Sequence, residues 1–399
     1  MRILNVAQTY FPYLAEGGRP AKVRTLSRKL AQRGHKVTVL TVNLGPSEWA
    51  QAGVVPEKTS LGWRFIEAGV EAIYLPEVGR YRAITINPRL IQFCRTSLGD
   101  FDLVHFYGLY DLLGPAVSYF CRRQGIPYVI EPMGMYRPID RSFRLKRLWH
   151  RSVGSKFWHD AAQIVATSEL EQQELLEDGL PATKVVMRYN GIDVSSPSAS
   201  PSRGTFRSKW GIAPDEPLIL FLSRLIPRKG ADTLIEAFAQ TCEQSGRLVI
   251  AGPEGEPGYR AYLEKHATEF GVGTRVIFTG PVYGEEKTAL LADADIFALP
   301  SRYENFANVA AEAIAVGVPV IITRSCGICS VVEGVAGLVI APDIAAIADA
   351  LHRMIYDKVL YARLKQGCRR AADRLDWNTL TEQMEGYYTE VLAHSNGSH

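Results

Sequence analysis

The strongest constraint on the fold is an alternation of short β-branched runs with helical patterns, and this alternation occurs twice along the chain. In the first half, RILNVA (2–7) and KVTVLTV (36–42) flank a helical segment from about Pro20 to Arg33. Strands separated by helices predict a parallel sheet that is covered by helices. The other predicted strands of this half are DLVHF (102–106), YVIE (128–131) and QIVAT (163–167).

The second half restarts the same alternation. Its predicted strands are LILFLS (218–223), RLVIAG (247–252), RVIFTG (275–280), DIFALP (295–300), PVIIT (319–323) and GLVI (337–340). A chain of 399 residues exceeds what one hydrophobic core usually holds. We therefore predict an α/β protein with two doubly wound parallel-sheet domains that face each other across a cleft. Such sheets bind ligands at the carboxyl ends of their strands, so the site is expected in that cleft.

Composition and charge both change near the middle of the chain. Residues 195–204, SSPSASPSRG, are rich in Ser and Pro, which is typical of a linker. Residues 1–200 carry 25 Lys and Arg against 18 Asp and Glu, whereas residues 201–399 carry 20 against 24. We therefore assign residues 1–194 to a first domain, 195–205 to the linker and 206–376 to a second domain.

Several classes of protein are disfavoured by the composition. A net charge of +3 is too small to indicate nucleic-acid binding. No apolar run reaches the roughly 18 residues of a membrane span, and the N-terminus lacks the features of a signal peptide. The six cysteines, mostly isolated in apolar segments, do not form a disulfide framework, which indicates a reducing compartment. We expect a cytoplasmic protein.

Two cations follow the first predicted strand of the second half. In SRLIPRKG (223–230), Arg224 lies at the strand end and Lys229 opens the next helix. Cations beside a helix N-terminus suit a phosphate group. The alternative is a solvated basic turn.

Two carboxylates accompany the strand DIFALP. Glu304 lies in the loop after the strand, and Glu312 lies inside a helix predicted from about Ala307 to Val316. If the stretch were fully helical, the eight-residue step would span about 12 Å, about the length of a sugar diphosphate that runs toward its ribose. The alternative is one glutamate that favours the helix dipole and one surface glutamate.

These motifs resemble one enzyme family. SRLIPRKG, followed by PSRYENFANVAAEAIAVGVPVI (300–321), is similar to the retaining glycosyltransferases of family four, which have the GT-B fold. The shared pattern is a strand-end Arg, a Lys before Gly, and Glu-x7-Glu ahead of Gly-x-Pro-Val. The resemblance extends along nearly the whole chain, including the opening strand with Gly17 and Gly18, EPMGM (131–135) and YNGID (189–193).

The resemblance implies a nucleoside diphosphate sugar as donor and the roles of the donor-site residues. Arg224 and Lys229 would neutralise the donor pyrophosphate, Glu312 would bind the ribose, and Glu304 would contact the sugar. The other residues implied in donor binding are Gly17, Gly18, Asn305, Phe306 and Ala307. The resemblance also implies that a C-terminal helix (377–394) packs back on the first domain. No cofactor or metal is expected.

The sequence departs from the family pattern at several points. In His105-Phe106-Tyr107-Gly108, Tyr107 stands where the family often has a second His. Tyr107 would then hydrogen-bond the donor sugar, and His105 would act there or serve as a structural strand-end His. Ala307 replaces a Gly, and the loop RSCGICSVV (324–332) lacks the family's Gly-Gly-x-x-Glu pattern.

Two short motifs that suggest metal or redox chemistry are read as structural. Cys326 and Cys329 form a Cys-x-x-Cys, but no second pair of ligands for zinc is found in the sequence. Asp293-Ala294-Asp295 resembles a metal motif of the other glycosyltransferase fold, but it precedes a strand. We therefore predict that no metal takes part in the reaction.

A basic segment, residues 137–158, is a candidate for membrane contact. It holds seven basic residues and one acid, Asp140, interleaved with aromatic residues that include Trp149, Phe157 and Trp158. Such a segment could dock on an anionic membrane surface, or its apolar residues could face the core.

We interpret the chain as a retaining hexosyltransferase whose acceptor is a hydroxyl of a growing glycan, such as an exopolysaccharide, an O-antigen or a lipid-linked oligosaccharide. Two alternatives remain. One is a nucleotide-sugar epimerase on the same fold, and the other is a catalytically degenerate protein that binds a glycan or a partner.

Overall fold

The computed structural model describes residues 1–14, 18–81, 84–137, 149–150, 154–192, 204–241 and 246–396. The chain forms two compact units: Met1–Asn190 with Trp377–His399, and Gly191–Asp376. Each is an α/β unit built on a largely or wholly parallel sheet, so the predicted fold class is confirmed. The predicted linker lies almost entirely outside the described residues.

The first unit is built on a large sheet. Within the described residues, its strands run in the order β11-β10-β9-β8-β1-β2-β5-β4-β3, with antiparallel pairing only at β3–β4 and β4–β5. The strands are β1 (Arg2–Ala7), β2 (Lys36–Asn43), β3 (Glu57–Thr59), β4 (Gly62–Glu67), β5 (Val70–Pro76), β6 (Gly79–Tyr81), β7 (Ile84–Ile86), β8 (Leu103–Tyr107), β9 (Tyr128–Glu131), β10 (Gln163–Ala166) and β11 (Val185–Met187). Strands β6 and β7 form a separate hairpin.

Helices cover this sheet because their apolar stripes match its buried strands. The apolar stripe of the first helix, Val23, Leu26 and Leu30, is fully buried. The helices are α1 (Gly18–Gln32), α2 (Ser47–Gln51), α3 (Arg89–Thr96), α4 (Leu113–Gln124), α5 (Ser155–His159) and α6 (Glu169–Glu177).

The C-terminal helix of the chain, which spans Trp377–Asn396, belongs to the first unit and packs on α1. Lys29 donates a hydrogen bond to Asn378 (3.0 Å), and the His35 imidazole lies 2.5 Å from the Glu385 carboxylate.

The second unit has a six-stranded parallel sheet in the order β14-β13-β12-β15-β16-β17. The strands are β12 (Leu218–Leu222), β13 (Arg247–Ala251), β14 (Val276–Gly280), β15 (Ile296–Leu299), β16 (Val320–Thr323) and β17 (Gly337–Ile340). The helices are α7 (Thr205–Trp210), α8 (Ala231–Thr241), α9 (Tyr259–Glu269), α10 (Gly284–Asp293), α11 (Asn308–Ala315), α12 (Cys329–Val332), α13 (Ile344–Tyr356) and α14 (Lys358–Asp373), and the C-terminal helix is numbered α15 (Trp377–Asn396). The order of strands reverses between β12 and β15, which creates a topological switch point.

None of the described helices is long and apolar enough to cross a bilayer.

Candidate functional site

The switch point of the second unit gathers the predicted phosphate-binding and sugar-binding residues. Strands β12 and β15 pair in parallel, so the loops that follow them leave the sheet at the same edge. The first loop carries Arg224 and Lys229, and the second carries Glu304. Because ligands of doubly wound sheets bind at this edge, the topology makes it a candidate site.

The Lys229 side chain is buried, whereas the alternative of a solvated basic turn would expose it. It ends a 3₁₀ turn, Pro227–Lys229, and is only 6% exposed. The next residue, Gly230, has a φ of +73°, and a Cβ there would lie 2.4 Å from the Pro300 carbonyl oxygen. Only glycine therefore allows the loops after β12 and β15 to approach this closely. The approach lets the Lys229 ammonium form an ion pair with the Glu304 carboxylate.

The backbone on both sides of Glu304 is held in place. Its N–H donates to the Ser325 carbonyl (2.9 Å), and its own carbonyl accepts from the Gly327 N–H (2.9 Å). Both partners lie in the loop after β16, the loop that departs from the family pattern in sequence. This loop therefore positions Glu304 without the family's glycine pair.

Arg224 is exposed at the carboxyl end of β12. The neighbouring Leu225 N–H donates to the Pro253 carbonyl (2.9 Å), which fixes the backbone next to it. Among the residues that the structure describes, the Arg224 side chain has no hydrogen-bond or ion-pair partner. The edge thus presents the Arg224 guanidinium beside the partly buried ion pair of Lys229 and Glu304.

At the start of α11, Ala307 adopts the backbone conformation that suits the Gly found in the family pattern. This residue precedes the helix with a φ of +73° and a ψ of 60°, the left-handed conformation that favours glycine. No side chain caps the helix start, so its amide dipoles can favour an anion at this edge. Asn305 and Phe306 lie in the loop just ahead of it.

Glu312 is separated from Glu304 by this turn. The helix spans only Asn308–Ala315, so the stretch is not fully helical and the 12 Å spacing of a straight helix does not apply. The Glu312 carboxylate lies 2.5 Å from the Lys287 ammonium, and both side chains are about one-third exposed (35% and 30%).

The side chains of the two suspected metal or redox motifs contact the backbone around them. Cys326 and Cys329 are free thiols, and burial raises the pKa of Cys326 to about 12, against thiolate chemistry. Asp293 accepts the Phe206 and Arg207 N–H groups at the start of α7 (2.7 and 3.0 Å), and Asp295 accepts the Leu218 N–H (2.9 Å). Among the described residues, no cluster has the composition of a metal site.

In the first unit, the residues near the strand ends are mostly buried. Gly17 lies outside the described residues, and Gly18 begins α1. His105 and Tyr107 point to the same side of β8 and stack at 4.1 Å, and both are essentially unexposed. The Tyr107 hydroxyl faces Asn5 (3.5 Å) inside the unit. The predicted contact of this hydroxyl with a donor sugar gains no support from its burial, because both faces of β8 are covered and residue 107 lies inside the unit.

A buried charge cluster lies beside them, and the sequence reasoning missed it. Glu131 ends β9 with 0% exposure and forms ion pairs with Lys22 and with Arg188 (2.6 Å). Burial would raise the pKa of Glu131, but the two cations outweigh it and lower the pKa to about 2. Lys22 also donates to Asn190, the last residue of the first stretch of this unit. In the sequence, the sign of this charge cluster was Glu131, an acidic residue at the end of the apolar strand YVIE.

His105 adds a pH-dependent group to this charge cluster. Its Nε2 lies 3.7 Å from Glu131, its Nδ1 lies 2.6 Å from the Tyr388 hydroxyl, and burial lowers its pKa to about 3. The unfolded chain takes up this proton near pH 6.5. Between these two values the unfolded state binds more protons, so stability falls as the pH falls.

We expect the wild-type free energy of unfolding to fall by up to about 1.4 kcal/mol per pH unit below pH 6.5 through this group. In His105→Gln the slope between pH 6.5 and 5 should be flatter, and urea unfolding at several pH values measures it. Equal slopes in the two proteins would show that His105 is not held neutral.

The described part of the basic segment 137–158 packs inward. Phe157 and Trp158 are 2% and 4% exposed and belong to the core of the first unit, and Trp149 packs against it. Arg137 forms ion pairs with Glu177 and Asp178. Of the two alternatives, the described aromatic residues therefore follow the second and face the core. Residues 138–148 and 151–153 lie outside the described residues.

Comparisons with known proteins agree with this geometry. The model of the family described as Glycosyltransferase Family 4 matches residues 18–196, and that of Glycosyl transferases group 1 matches residues 202–371. A D-inositol 3-phosphate glycosyltransferase of Xylanimonas cellulosilytica is 29% identical over 94% of this chain and 92% of its own length. An uncharacterised glycosyltransferase of Methanocaldococcus jannaschii is 27% identical over 84% and 83%.

Solved structures share the fold. Anabaena HepE in complex with UDP superposes with a TM-score of 0.76 and 22% identity, covering 98% of this chain and 100% of that one. The sucrose-phosphate synthase of Thermosynechococcus elongatus superposes with a TM-score of 0.75 and 22% identity over 98% and 99%.

Proposed function

We propose that the chain is a GT-B glycosyltransferase that transfers a hexose from a nucleoside diphosphate sugar, with retention, to a hydroxyl of a growing glycan. Two glycosyltransferase family models, which match residues 18–196 and 202–371, support this. HepE has been solved with UDP and glucose and with UDP-glucose, which makes UDP-glucose a natural first donor to test. The acceptor would be carried on a lipid or on a polysaccharide chain.

One observation carries this proposal. The exposed Arg224 and the partly buried Lys229–Glu304 ion pair lie in the loops at the switch point of the second sheet. Glu304 shortly precedes the start of α11, where Ala307 provides no side-chain cap. In the proposal the cations bind the diphosphate and the carboxylate binds the sugar hydroxyls, and the grouping of these residues at one edge supports it. An epimerase would also need to bind a nucleotide here, so transfer to an acceptor must be measured directly.

The proposed chemistry needs no protein nucleophile. The bond between the anomeric carbon and the diphosphate oxygen breaks, and the acceptor oxygen bonds to that carbon on the same face. The acceptor proton passes to an oxygen of the leaving phosphate. Arg224, Lys229 and the helix amides would stabilise the negative charge that grows on the diphosphate, which is worth several kcal/mol.

The first experiment identifies the donor. Thermal unfolding is followed with UDP, GDP, ADP and their sugars, because a ligand at 100 times its dissociation constant stabilises by about 2.7 kcal/mol. The stabilising donor is then supplied with an acceptor, and the anomeric configuration of the product is read by NMR. An inverted product would contradict retention.

The transfer activity should persist when EDTA is added. If EDTA abolished the activity and manganese restored it, the metal-free reaction would be contradicted.

Glu312→Gln should weaken the binding of the free nucleoside diphosphate by about tenfold. The proposed contact is a charge-assisted hydrogen bond to the ribose hydroxyls, worth about 1.5–3 kcal/mol. Lys287→Gln is the matched control, since it removes the other half of the same ion pair. Calorimetric titration measures both. Unchanged affinity in Glu312→Gln, or an equal loss in both variants, would remove the ribose role.

A second acceptor class is favoured by the relatives. Proteins named D-inositol 3-phosphate glycosyltransferase align over most of this chain, which favours a small phosphorylated polyol as an alternative acceptor. The two acceptor classes are distinguished by an assay. The donor is supplied with inositol 3-phosphate or with a lipid-linked glycan, and the release of the nucleoside diphosphate is measured.

For the lipid-linked acceptor, we further propose that the enzyme works in the cytoplasm at the inner face of the membrane. The surface that would make this contact is not the aromatic part of residues 149–158, which is buried.

A further inference from the structure

An exposed tyrosine lies at the functional edge of the second sheet. Tyr283 stands between strand β14 and helix α10, and it is 68% exposed. Among the residues that the structure describes, its side chain has no hydrogen-bond partner and no ring contact. A Cβ at the next residue, Gly284, would meet no atom within 4 Å, so the space beside Tyr283 is open. Because β14 runs parallel to β13 and β12, Tyr283 follows the sheet at the same edge as Arg224.

The ends of strands β12, β13 and β14 are packed closely together. The Gly252 N–H, just after β13, donates to the Gly280 carbonyl at the end of β14 (2.9 Å). A Cβ at Gly252 would overlap the Ser223 carbonyl oxygen, so only glycine allows the ends of β12 and β13 to approach this closely. Strand β14 is two strands from β12, which corresponds to about 10 Å along the sheet.

Helix α10 connects Tyr283 to the proposed ribose site. The Lys287 N–H donates to the Tyr283 carbonyl (3.3 Å), so Lys287 lies one helical turn after Tyr283. The Lys287 ammonium in turn lies 2.5 Å from the Glu312 carboxylate. A ribose that is held by Glu312 would therefore have the start of α10, with Tyr283, beside it.

The charge at the start of α10 disfavours a phosphate group there. The first turn of this helix carries Glu285 and Glu286, which already offset the positive end of its dipole. The cations that suit a diphosphate, Arg224 and Lys229, lie on the loop after β12 instead. The part of a nucleotide that fits beside Tyr283 is its neutral, flat base, because aromatic side chains stack on the π-face of any nucleobase.

We propose that the base of the donor nucleotide stacks on the Tyr283 ring. The nucleoside diphosphate then extends from the loop after β12, where the cations bind its phosphates, to the loop after β14. This inference rests on the proposed function, because it takes Arg224 and Lys229 to be the diphosphate site.

The experiment is calorimetric titration of the full chain with UDP, GDP, ADP and inorganic pyrophosphate. In Tyr283→Ala, affinity for the nucleotide that wild type binds most tightly should fall by about tenfold, because the stacking of the base is lost. Affinity for pyrophosphate, which has no base, should be unchanged. Tyr283→Phe keeps the aromatic ring and should bind that nucleotide within about twofold of wild type.

Tyr356→Ala is the matched control. Tyr356 is 54% exposed and is the last residue of α13. This helix begins shortly after the carboxyl end of β17 and packs on the sheet, so it ends toward the opposite edge. Tyr356→Ala should bind the nucleotide and pyrophosphate as wild type does.

Equal nucleotide affinity in wild type and Tyr283→Ala would overturn the stacking proposal. An equal loss of nucleotide and pyrophosphate affinity would also overturn it, because the substitution would then act on the diphosphate site. If Tyr283→Phe lost as much affinity as Tyr283→Ala, the hydroxyl would make the contact and stacking would be wrong. A wild-type protein that bound neither pyrophosphate nor any of the nucleotides would contradict the proposed donor site itself, so the two failures are distinguishable.

Discussion

Replacing Glu131 by glutamine should lower the free energy of unfolding of the first unit by about 3–5 kcal/mol, the usual cost of breaking a buried ion pair by removing one partner. Glu131 is the carboxylate shared by Lys22 and Arg188, and all three side chains are almost completely buried. Without its charge, two cations remain in a desolvated site.

Tryptophan fluorescence during urea unfolding measures this change well. Five of the six tryptophans lie in the first unit, namely Trp49, Trp63, Trp149, Trp158 and Trp377. Glu57→Gln is the control, because Glu57 pairs with Arg64 at the surface with its side chain 68% exposed. It should change stability by less than about 1 kcal/mol. If Glu131→Gln also lowered the free energy of unfolding by less than about 1 kcal/mol, the charge cluster would not be what stabilises the first unit.

Lys229→Met and Arg224→Ala should each reduce turnover by roughly two to three orders of magnitude, because each removes a positive charge from the leaving diphosphate. The sequence placed Arg224 at a strand end and Lys229 at the start of the next helix, and in the structure only Arg224 is exposed. Methionine is used at position 229 because it keeps the packing of the buried lysine stem. Arg224→Ala should leave the fold unchanged.

Lys209→Ala is the matched control for Lys229. Lys209 forms a Lys–Glu ion pair with Glu286 in the same unit (2.6 Å), but its side chain is 60% exposed. Its loss should leave turnover within about twofold of wild type. If a folded Lys229→Met or Arg224→Ala variant turned over as fast as Lys209→Ala, the donor site would be elsewhere.

Periodicity predicted the parallel strands other than β5 and β11, and it predicted none of the antiparallel strands β3, β4, β6 and β7. Strands such as β12 are apolar on both faces and stand out as continuous runs, because helices cover a parallel sheet on both sides. Strands β3, β6 and β7 have three residues each and stand beside Gly and Pro residues. Their pairing depends on partners that are not periodic in the sequence, so this region was not assigned.

The site residues were found by resemblance, whereas their environments needed the structure. The motif around Glu304 identifies the residue, but its ion pair with Lys229 joins positions 75 residues apart. The charge cluster joins Lys22 to Glu131 across 109 residues. For residues 149–158 the sequence left two alternatives, because basic residues interleaved with aromatics are compatible with either a membrane face or a core. The structure shows that Phe157 and Trp158 are core residues.

The most direct test of the central claim is calorimetric titration of UDP, GDP and ADP into wild type and Arg224→Ala. The second unit should bind one of the three at a single site, because its switch point supplies the cations for one diphosphate. Affinity for that nucleotide should fall at least about tenfold in Arg224→Ala, since a charge-assisted contact is worth about 1.5–3 kcal/mol. Binding of none of the three nucleotides, or equal binding by both proteins, would contradict a donor site at Arg224, Lys229 and Glu304.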